Sequence, residues 1–296
     1  MKKIKFEGIY PAMVVPFKPS GETDLEGAKK LVEFFMSSGC SGVLCNGSTG
    51  EAASLTRDER KDVIHAVTEA VRGRGKVIAG TGAPTTRETL VLTKDAMDAG
   101  ADAALVITPY FIRPTKKGLY LHYAEIAKVG IPVLCYNLPP PTRQEVDADT
   151  LEKLIELENI VGLKDSSGNM SYLSEIYRRF GDKISILSGA DDLTLQVFAM
   201  GVKGAILGLA NIAPAQVVEL QKLVKANRMD EARELYFRLL PIANCINVSF
   251  NFPAQIKEAV RQLGHPSTPP RLPLLPVESE EAEAIRKALA YAGLLS

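Results

Sequence analysis

Net charge is missing from this chain: 35 basic residues balance 35 acidic ones over 296 positions. That argues against a protein-wide electrostatic surface for nucleic acid or anionic membrane. Cysteine is sparse. Cys40, Cys45, Cys135 and Cys245 are scattered with no C-x-x-C pair, and Cys45 and Cys135 sit in apolar runs where reduced core thiols are the default. His65, His122 and His265 show no ligand spacing with one another or with a cysteine, so no metal site is expected and each is assigned to a helix surface or loop. No apolar run approaches the length of a membrane span, and Met1 to Gly8 lacks the apolar stretch of a signal peptide. The expected location is the reducing cytoplasm. The Gly47 to Gly50 loop lacks the Lys-Ser/Thr that completes a P-loop, and no G-x-G-x-x-G follows the first strand-like run.

What is present is alternation. Short, continuously apolar runs occur at Ile9–Val15, Gly42–Asn46, Lys76–Gly80, Ala103–Thr108, Ile131–Asn137, Ile160–Lys164, Ile184–Ser188 and Gly204–Gly208. Continuous runs suit parallel strands covered on both faces. Between them apolar residues recur at helical spacing over Leu25–Ser38, Thr56–Arg72, Thr86–Ala99, Lys117–Lys128, Asp149–Leu157, Ser171–Phe180 and Asp192–Met200. Eight strand–helix units point to an α/β fold, a (β/α)8 TIM barrel, rather than an open doubly wound sheet. Beyond the eighth strand only helical patterns remain: Pro214–Asn227, Met229–Asn244, Pro253–Leu263 and Ser279–Ala292. The expected organisation is a barrel over 1–227 carrying the active site and a C-terminal helical appendage over 228–296. The proline-rich stretch His265–Pro276 reads as a loop.

Barrel enzymes place their chemistry at the C-terminal ends of the strands. Strand six ends in Lys164. Burying an ammonium is costly unless it is paired or neutralised, and a desolvated neutral amine attacks carbonyls. Strand two is followed by Asn46-Gly47-Ser48-Thr49-Gly50-Glu51, whose glycines free backbone N–H groups to face a carboxylate or phosphate. Thr108-Pro109-Tyr110-Phe111 follows strand four, Tyr136-Asn137 ends strand five, and Ser188-Gly189-Ala190-Asp191-Asp192 follows strand seven. Either aspartate could serve merely as a helix N-cap. An amine flanked by phenol and hydroxyl groups suits imine formation with a 2-keto acid, because that reaction needs proton transfer in two directions.

On these residues the chain resembles the pyruvate-dependent class I aldolase family of dihydrodipicolinate synthase and N-acetylneuraminate lyase, over nearly its whole length. The carrying motifs are Gly47-Ser48-Thr49-Gly50-Glu51, Thr108-Pro109-Tyr110, Tyr136-Asn137, and Gly162-Leu163-Lys164 with Ser167-Gly168. The resemblance implies a homotetramer of barrels that needs no separate cofactor. Lys164 would form the Schiff base with pyruvate, and Tyr136 would shuttle the proton. Ser48 would link Tyr136 to the relay, and Thr49, with the Gly47–Ser48 backbone, would hold the pyruvate carboxylate. Ile206 and Gly189 would line the pocket, and Tyr110 would be a further binding residue. The partners implied are a small keto acid and an aldehyde.

Two departures stand out. The relay tyrosine that this family supplies across a subunit interface is Phe111 here, which has no hydroxyl. The arginine that dihydrodipicolinate synthases place five residues after the strand-five tyrosine is Pro141, with Arg143 two positions later. A bidentate guanidinium moved along a loop does not automatically reach the same oxygens. Together with Asp191 and Asp192, which could accept hydrogen bonds from sugar hydroxyls, these departures favour aldol cleavage or condensation of a 2-keto-3-deoxy sugar acid. Three alternatives remain open: condensation of pyruvate with aspartate semialdehyde, a dehydratase using the same imine, and a silent barrel that only binds a keto acid.

Overall fold

The computed structural model describes residues 4–247 and 251–295. Met1–Lys3, the start of the Met1–Gly8 segment read as lacking a signal peptide's apolar stretch, lie outside them. The eight strands are β1 (Gly8–Pro11), β2 (Gly42–Cys45), β3 (Lys76–Gly80), β4 (Ala103–Ile107), β5 (Val133–Asn137), β6 (Ile160–Asp165), β7 (Ser185–Ser188) and β8 (Gly204–Leu207). Every neighbouring pair is parallel, and β1 pairs with β8. The circle closes through a bridge from Ala12 to Leu44, with the Met13 N–H donating to the Leu44 carbonyl at 2.9 Å. The fold is a (β/α)8 barrel.

Around it run α1 (Leu25–Ser37), α2 (Arg57–Val71), α3 (Thr86–Asp98), α4 (Lys116–Ala127), α5 (Pro139–Thr142), α6 (Ala148–Leu154), α7 (Met170–Phe180), α8 (Thr194–Ala199) and α9 (Pro214–Lys225). The C-terminal region adds α10 (Met229–Ile246), α11 (Phe252–Gln262) and α12 (Ser279–Tyr291). Capping chemistry sets several of the starts. Thr56 and Glu59 form a reciprocal capping box at α2, and the side chains of Asp24, Thr85, Thr115, Asp147 and Asn169 accept from their first-turn N–H groups.

The expected elements are all present, with changes where tertiary contacts intervene. The apolar run Ile9–Val15 is strand only to Pro11. Beyond it Met13, Val14 and Val15 are buried as loop, and the Val14 N–H is satisfied by the Asn211 side chain at 3.0 Å. The loop after β5 contains the short helix α5, where three consecutive prolines supply helical φ without needing early donors. The helix expected over Asp192–Met200 is shortened to Thr194–Ala199, because Asp191–Leu193 form a 3-10 turn. His122 is buried rather than superficial. It bonds the Thr86 hydroxyl through Nδ1 at 2.9 Å, and burial pulls its pKa down to about 4. His265 stacks on Phe34 at 3.9 Å between ring centroids.

The core has two shells. Tyr10, Leu44, Ile78, Leu105, Leu134, Leu187 and Ile206 fill the barrel interior. Outside, strands pack on helices, and α10 to α12 join α1, α2 and α9 in one apolar cluster. Strand β6 carries an irregularity that matters for the site. Val133 pairs with Ile160 but Leu134 pairs with Gly162, so Val161 is an extra residue. Ile160 and Leu163 face the helices while Val161 faces the interior. Strict alternation from Ile160 would turn Lys164 outward; the inserted residue turns it inward. No helix among the described residues is long and apolar enough to cross a membrane.

Candidate active site

The inward-facing end of β6 meets the inward-facing end of β5. Tyr136 and Lys164 are register partners, and Lys164 Nζ lies 4.3 Å from the Tyr136 ring centroid. Lys164 is only 5% exposed and Tyr136 only 8%. Leu187 on β7 pairs with Lys164 from the other side. No carboxylate forms an ion pair with Lys164 among the described residues; the face of the Tyr136 ring lies against it instead.

Gly189, just past β7, leaves the space the amine occupies. A Cβ built there would sit 2.5 Å from Lys164 Cε and 2.0 Å from Ser166 Oγ. Ile206 is buried in the interior on β8, across β7 from Lys164. The loop after β2 turns through Gly50 N–H to Gly47 carbonyl and Glu51 N–H to Ser48 carbonyl bonds, each 3.1 Å. It leaves Ser48 exposed and Thr49 buried. The hydroxyls of Ser48, Thr49 and Tyr136 make no hydrogen bond with one another, so the relay expected through Ser48 is not closed within the chain.

The remaining expected residues are placed differently. Asp191 is buried, and its carboxylate accepts the Leu209 N–H at 2.8 Å. It caps the 3-10 turn Leu209–Asn211 after β8 rather than its own helix. Burial lifts its pKa to about 6, against the Leu209 hydrogen bond and the nearby Lys164 charge. Held this way, Asp191 is a poor receiver for sugar hydroxyls. Asp192 is half-buried, and its carbonyl accepts the Tyr236 hydroxyl at 2.7 Å. Tyr110 is half-buried on the side of Arg60 and Glu88, and burial raises its phenol. Phe111 is 98% exposed with φ +70°. Arg143 ends α5 in the left-handed region, exposed and without a carboxylate partner among the described residues.

Sequence reasoning overlooked three features. Ser166 Oγ is buried beside Gly189 without a hydrogen-bond partner. Asn137 and Asp165, each one residue past the Tyr136–Lys164 pair, are themselves register partners joined by a 2.8 Å side-chain bond. Asn137 also accepts the Val146 N–H, and Asp165 accepts from Ser167. Burial raises the Asp165 carboxyl, against the hydrogen bonds from Asn137 and Ser167. This pair locks the two strand ends at the register that stacks amine on phenol. The pattern was visible, since residues following inward-facing ones must face outward. The third feature is the contact of Glu51 with the C-terminal region.

Comparison with known proteins bears on the family and the fold. The model of the dihydrodipicolinate synthetase family matches residues 5–292. The chain is 41% identical over 292 residues to the 4-hydroxy-tetrahydrodipicolinate synthase of Syntrophobacter fumaroxidans, covering 98% of this chain and 100% of the relative. It is 40% identical to the enzyme of that name from Methanothrix thermoacetophila, covering 96% of each. The dihydrodipicolinate synthase of Acinetobacter baumannii, solved in complex with pyruvate, superposes with a TM-score of 0.94 at 36% identity, covering 98% of this chain and 99% of that one. These relatives favour the condensation alternative over the sugar-acid reading.

Proposed function

The chain belongs to the dihydrodipicolinate synthetase family and is a class I aldolase-type lyase; on that premise we propose that it condenses pyruvate with aspartate semialdehyde to form 4-hydroxy-tetrahydrodipicolinate. The observation that carries this reading is the buried Lys164 amine set against the Tyr136 ring at the mouth of the barrel. Lys164 Nζ adds to the C2 carbonyl of pyruvate, and water leaves as the imine forms. Loss of a C3 proton gives the enamine, whose C3 bonds to the aldehyde carbon. The amino group of the semialdehyde then displaces Lys164 from C2, closing the ring and freeing the enzyme. Tyr136 moves protons in the addition and dehydration steps. Thr49 and the Gly47–Ser48 backbone hold the pyruvate carboxylate, Ser48 extends the relay, and Ile206 and Gly189 shape the methyl and carbonyl pocket. The unpartnered Arg143 supplies the charge for the semialdehyde carboxylate that Pro141 cannot. The working form is a homotetramer, in which Phe111 of one copy meets the site of another.

A second reading, aldol chemistry on a 2-keto-3-deoxy sugar acid, is favoured by Pro141 and Phe111 and by Asp192, whose backbone carbonyl rather than its carboxylate accepts the Tyr236 hydroxyl. The test has two stages. Incubation with pyruvate and borohydride should add one reduced pyruvyl group to the wild-type chain and none to Lys164→Ala. A missing adduct removes the Schiff-base chemistry and leaves the silent keto-acid binder, whereas one that persists in Lys164→Ala assigns the imine to a different amine. Acceptors are then compared: turnover should be greatest with aspartate semialdehyde, and faster turnover of glyceraldehyde or N-acetylmannosamine would shift the substrate to the sugar acids.

A further inference from the structure

The loop that offers Ser48 and Thr49 is fastened from behind by the C-terminal region. Glu51, two residues past Thr49, sits in the left-handed region at φ +53° and is buried. Its Oε1 lies 2.5 Å from Nζ of Lys257 on α11, and the two side chains are 0% and 2% exposed. Its Oε2 accepts the backbone N–H of Arg271, in the proline-rich segment, at 2.9 Å. The Arg271 guanidinium donates to the Ser54 carbonyl at 2.9 Å and pairs with Glu59, gripping the far end of the same loop. Phe17 lies between the two cations, 3.9 Å from Lys257 Nζ and 4.3 Å from Arg271 Cζ.

Stability is a weak reason for such a pair. Two charges withdrawn this completely from water recover little more than their desolvation cost, and apolar side chains of similar volume generally serve as well. What the pair supplies is direction. A carboxylate with one oxygen accepting the Arg271 N–H and the other in ion-pair contact with Lys257 Nζ fixes where Glu51 stands, and the Glu51 N–H is bonded to the Ser48 carbonyl at 3.1 Å. Displacing Glu51 therefore displaces the backbone that faces the keto acid.

We propose that Glu51, Lys257 and Arg271 form a clamp by which the C-terminal helical region positions the Gly47–Gly50 loop for the substrate carboxylate. These are positioning residues, acting through Ser48 and Thr49; the proposal rests on the pyruvate reading above for its kinetic consequence, though not for its structural one.

The test uses the full-length protein. Glu51→Gln combined with Lys257→Met removes both charges together, so neither is left buried alone. Leu289→Ala, in the buried core of α12, serves as a control that loosens the same region without touching the clamp. The pyruvate concentration giving half-maximal borohydride trapping should rise by about tenfold in the double variant, which corresponds to one lost charge-assisted contact. The KM for the aldehyde at saturating pyruvate should move less than about twofold. Amide hydrogen exchange over residues 46–54, measured without substrate, should accelerate in the double variant and not in Leu289→Ala. Unchanged exchange, or equal exchange and trapping in the double variant and the control, overturns the clamp. Failure of the wild-type chain to trap pyruvate removes the pyruvate reading alone, and the exchange result still decides the clamp.

Discussion

Gly189→Ala is the most economical probe of how closely the pocket is fitted to its amine. Carbon atoms in ordinary contact are about 3.5–4.0 Å apart, whereas the new methyl would stand 2.5 Å from Lys164 Cε, so Cε must retreat by roughly 1 Å or more. Ser166 Oγ, 2.0 Å away, can leave by rotating about its Cα–Cβ bond. Both neighbours are side-chain ends rather than backbone, so the overpacking penalty should lie at the low end of its range, about 1 kcal/mol. Catalysis has no such slack. A reacting group misplaced by about 1 Å costs on the order of a hundredfold in rate. Gly189→Ala should therefore remain folded, with a melting temperature within a few degrees of wild type as expected for a loss of about 1 kcal/mol in a chain of this size. Its rate of pyruvate trapping by borohydride should fall by about two orders of magnitude. Thermal melting and time-resolved intact mass measure the two quantities independently. Trapping within about twofold of wild type would falsify the fitted-pocket reasoning, since it would mean the amine reaches pyruvate from elsewhere.

Two further outcomes follow from the geometry. Burial raises Asp191 from 3.8 to about 6, so the folded chain holds that proton more tightly than the unfolded chain. The group therefore costs nothing below about pH 3.8 and costs most above about pH 6, up to on the order of 3 kcal/mol. Asp191→Asn should gain stability relative to wild type as pH rises from 4 to 7 in denaturant melts; a pH-independent difference would mean the carboxylate is better solvated than its burial implies. Phe111, 98% exposed on a left-handed backbone, is the ring that the proposed homotetramer would cover. Phe111→Ala should weaken subunit association by about 2 kcal/mol, roughly thirtyfold in dissociation constant. Sedimentation over a concentration series measures this, and an unchanged association constant would remove Phe111 from the interface.

Much of the architecture was legible because it rests on local rules. Eight buried strands alternating with capped helices follow from continuous apolar runs, helical spacing and capping residues such as Thr56 and Glu59. The failures were equally local in appearance and non-local in cause. Val14 looks like strand but gives its N–H to Asn211, far along the chain. His122 lies on α4, whose sequence alone does not reveal that the ring packs inward toward Thr86. Asp191 reads as an acceptor for sugar hydroxyls or, failing that, as the cap of the helix that follows it, yet the N–H it accepts belongs to Leu209, beyond the next strand.

The candidate site divides the same way. The sequence by itself determined that Lys164, Tyr136, Ser48 and Thr49 stand at the C-terminal ends of barrel strands, because strand ends and glycine turns are written in contiguous residues. It also determined the family, through motifs that are specific in combination. Only the tertiary structure decided which way those side chains face and what holds them. The inward turn of Lys164 depends on the extra residue Val161, a matter of pairing with β5 that no single-strand pattern records. The hold on the Ser48–Thr49 loop comes from Lys257 and Arg271, some two hundred residues away. Hydrophobic periodicity encodes burial one strand at a time; register and long-range ion pairs exist only once the strands have closed into a barrel and the last helices have packed against it.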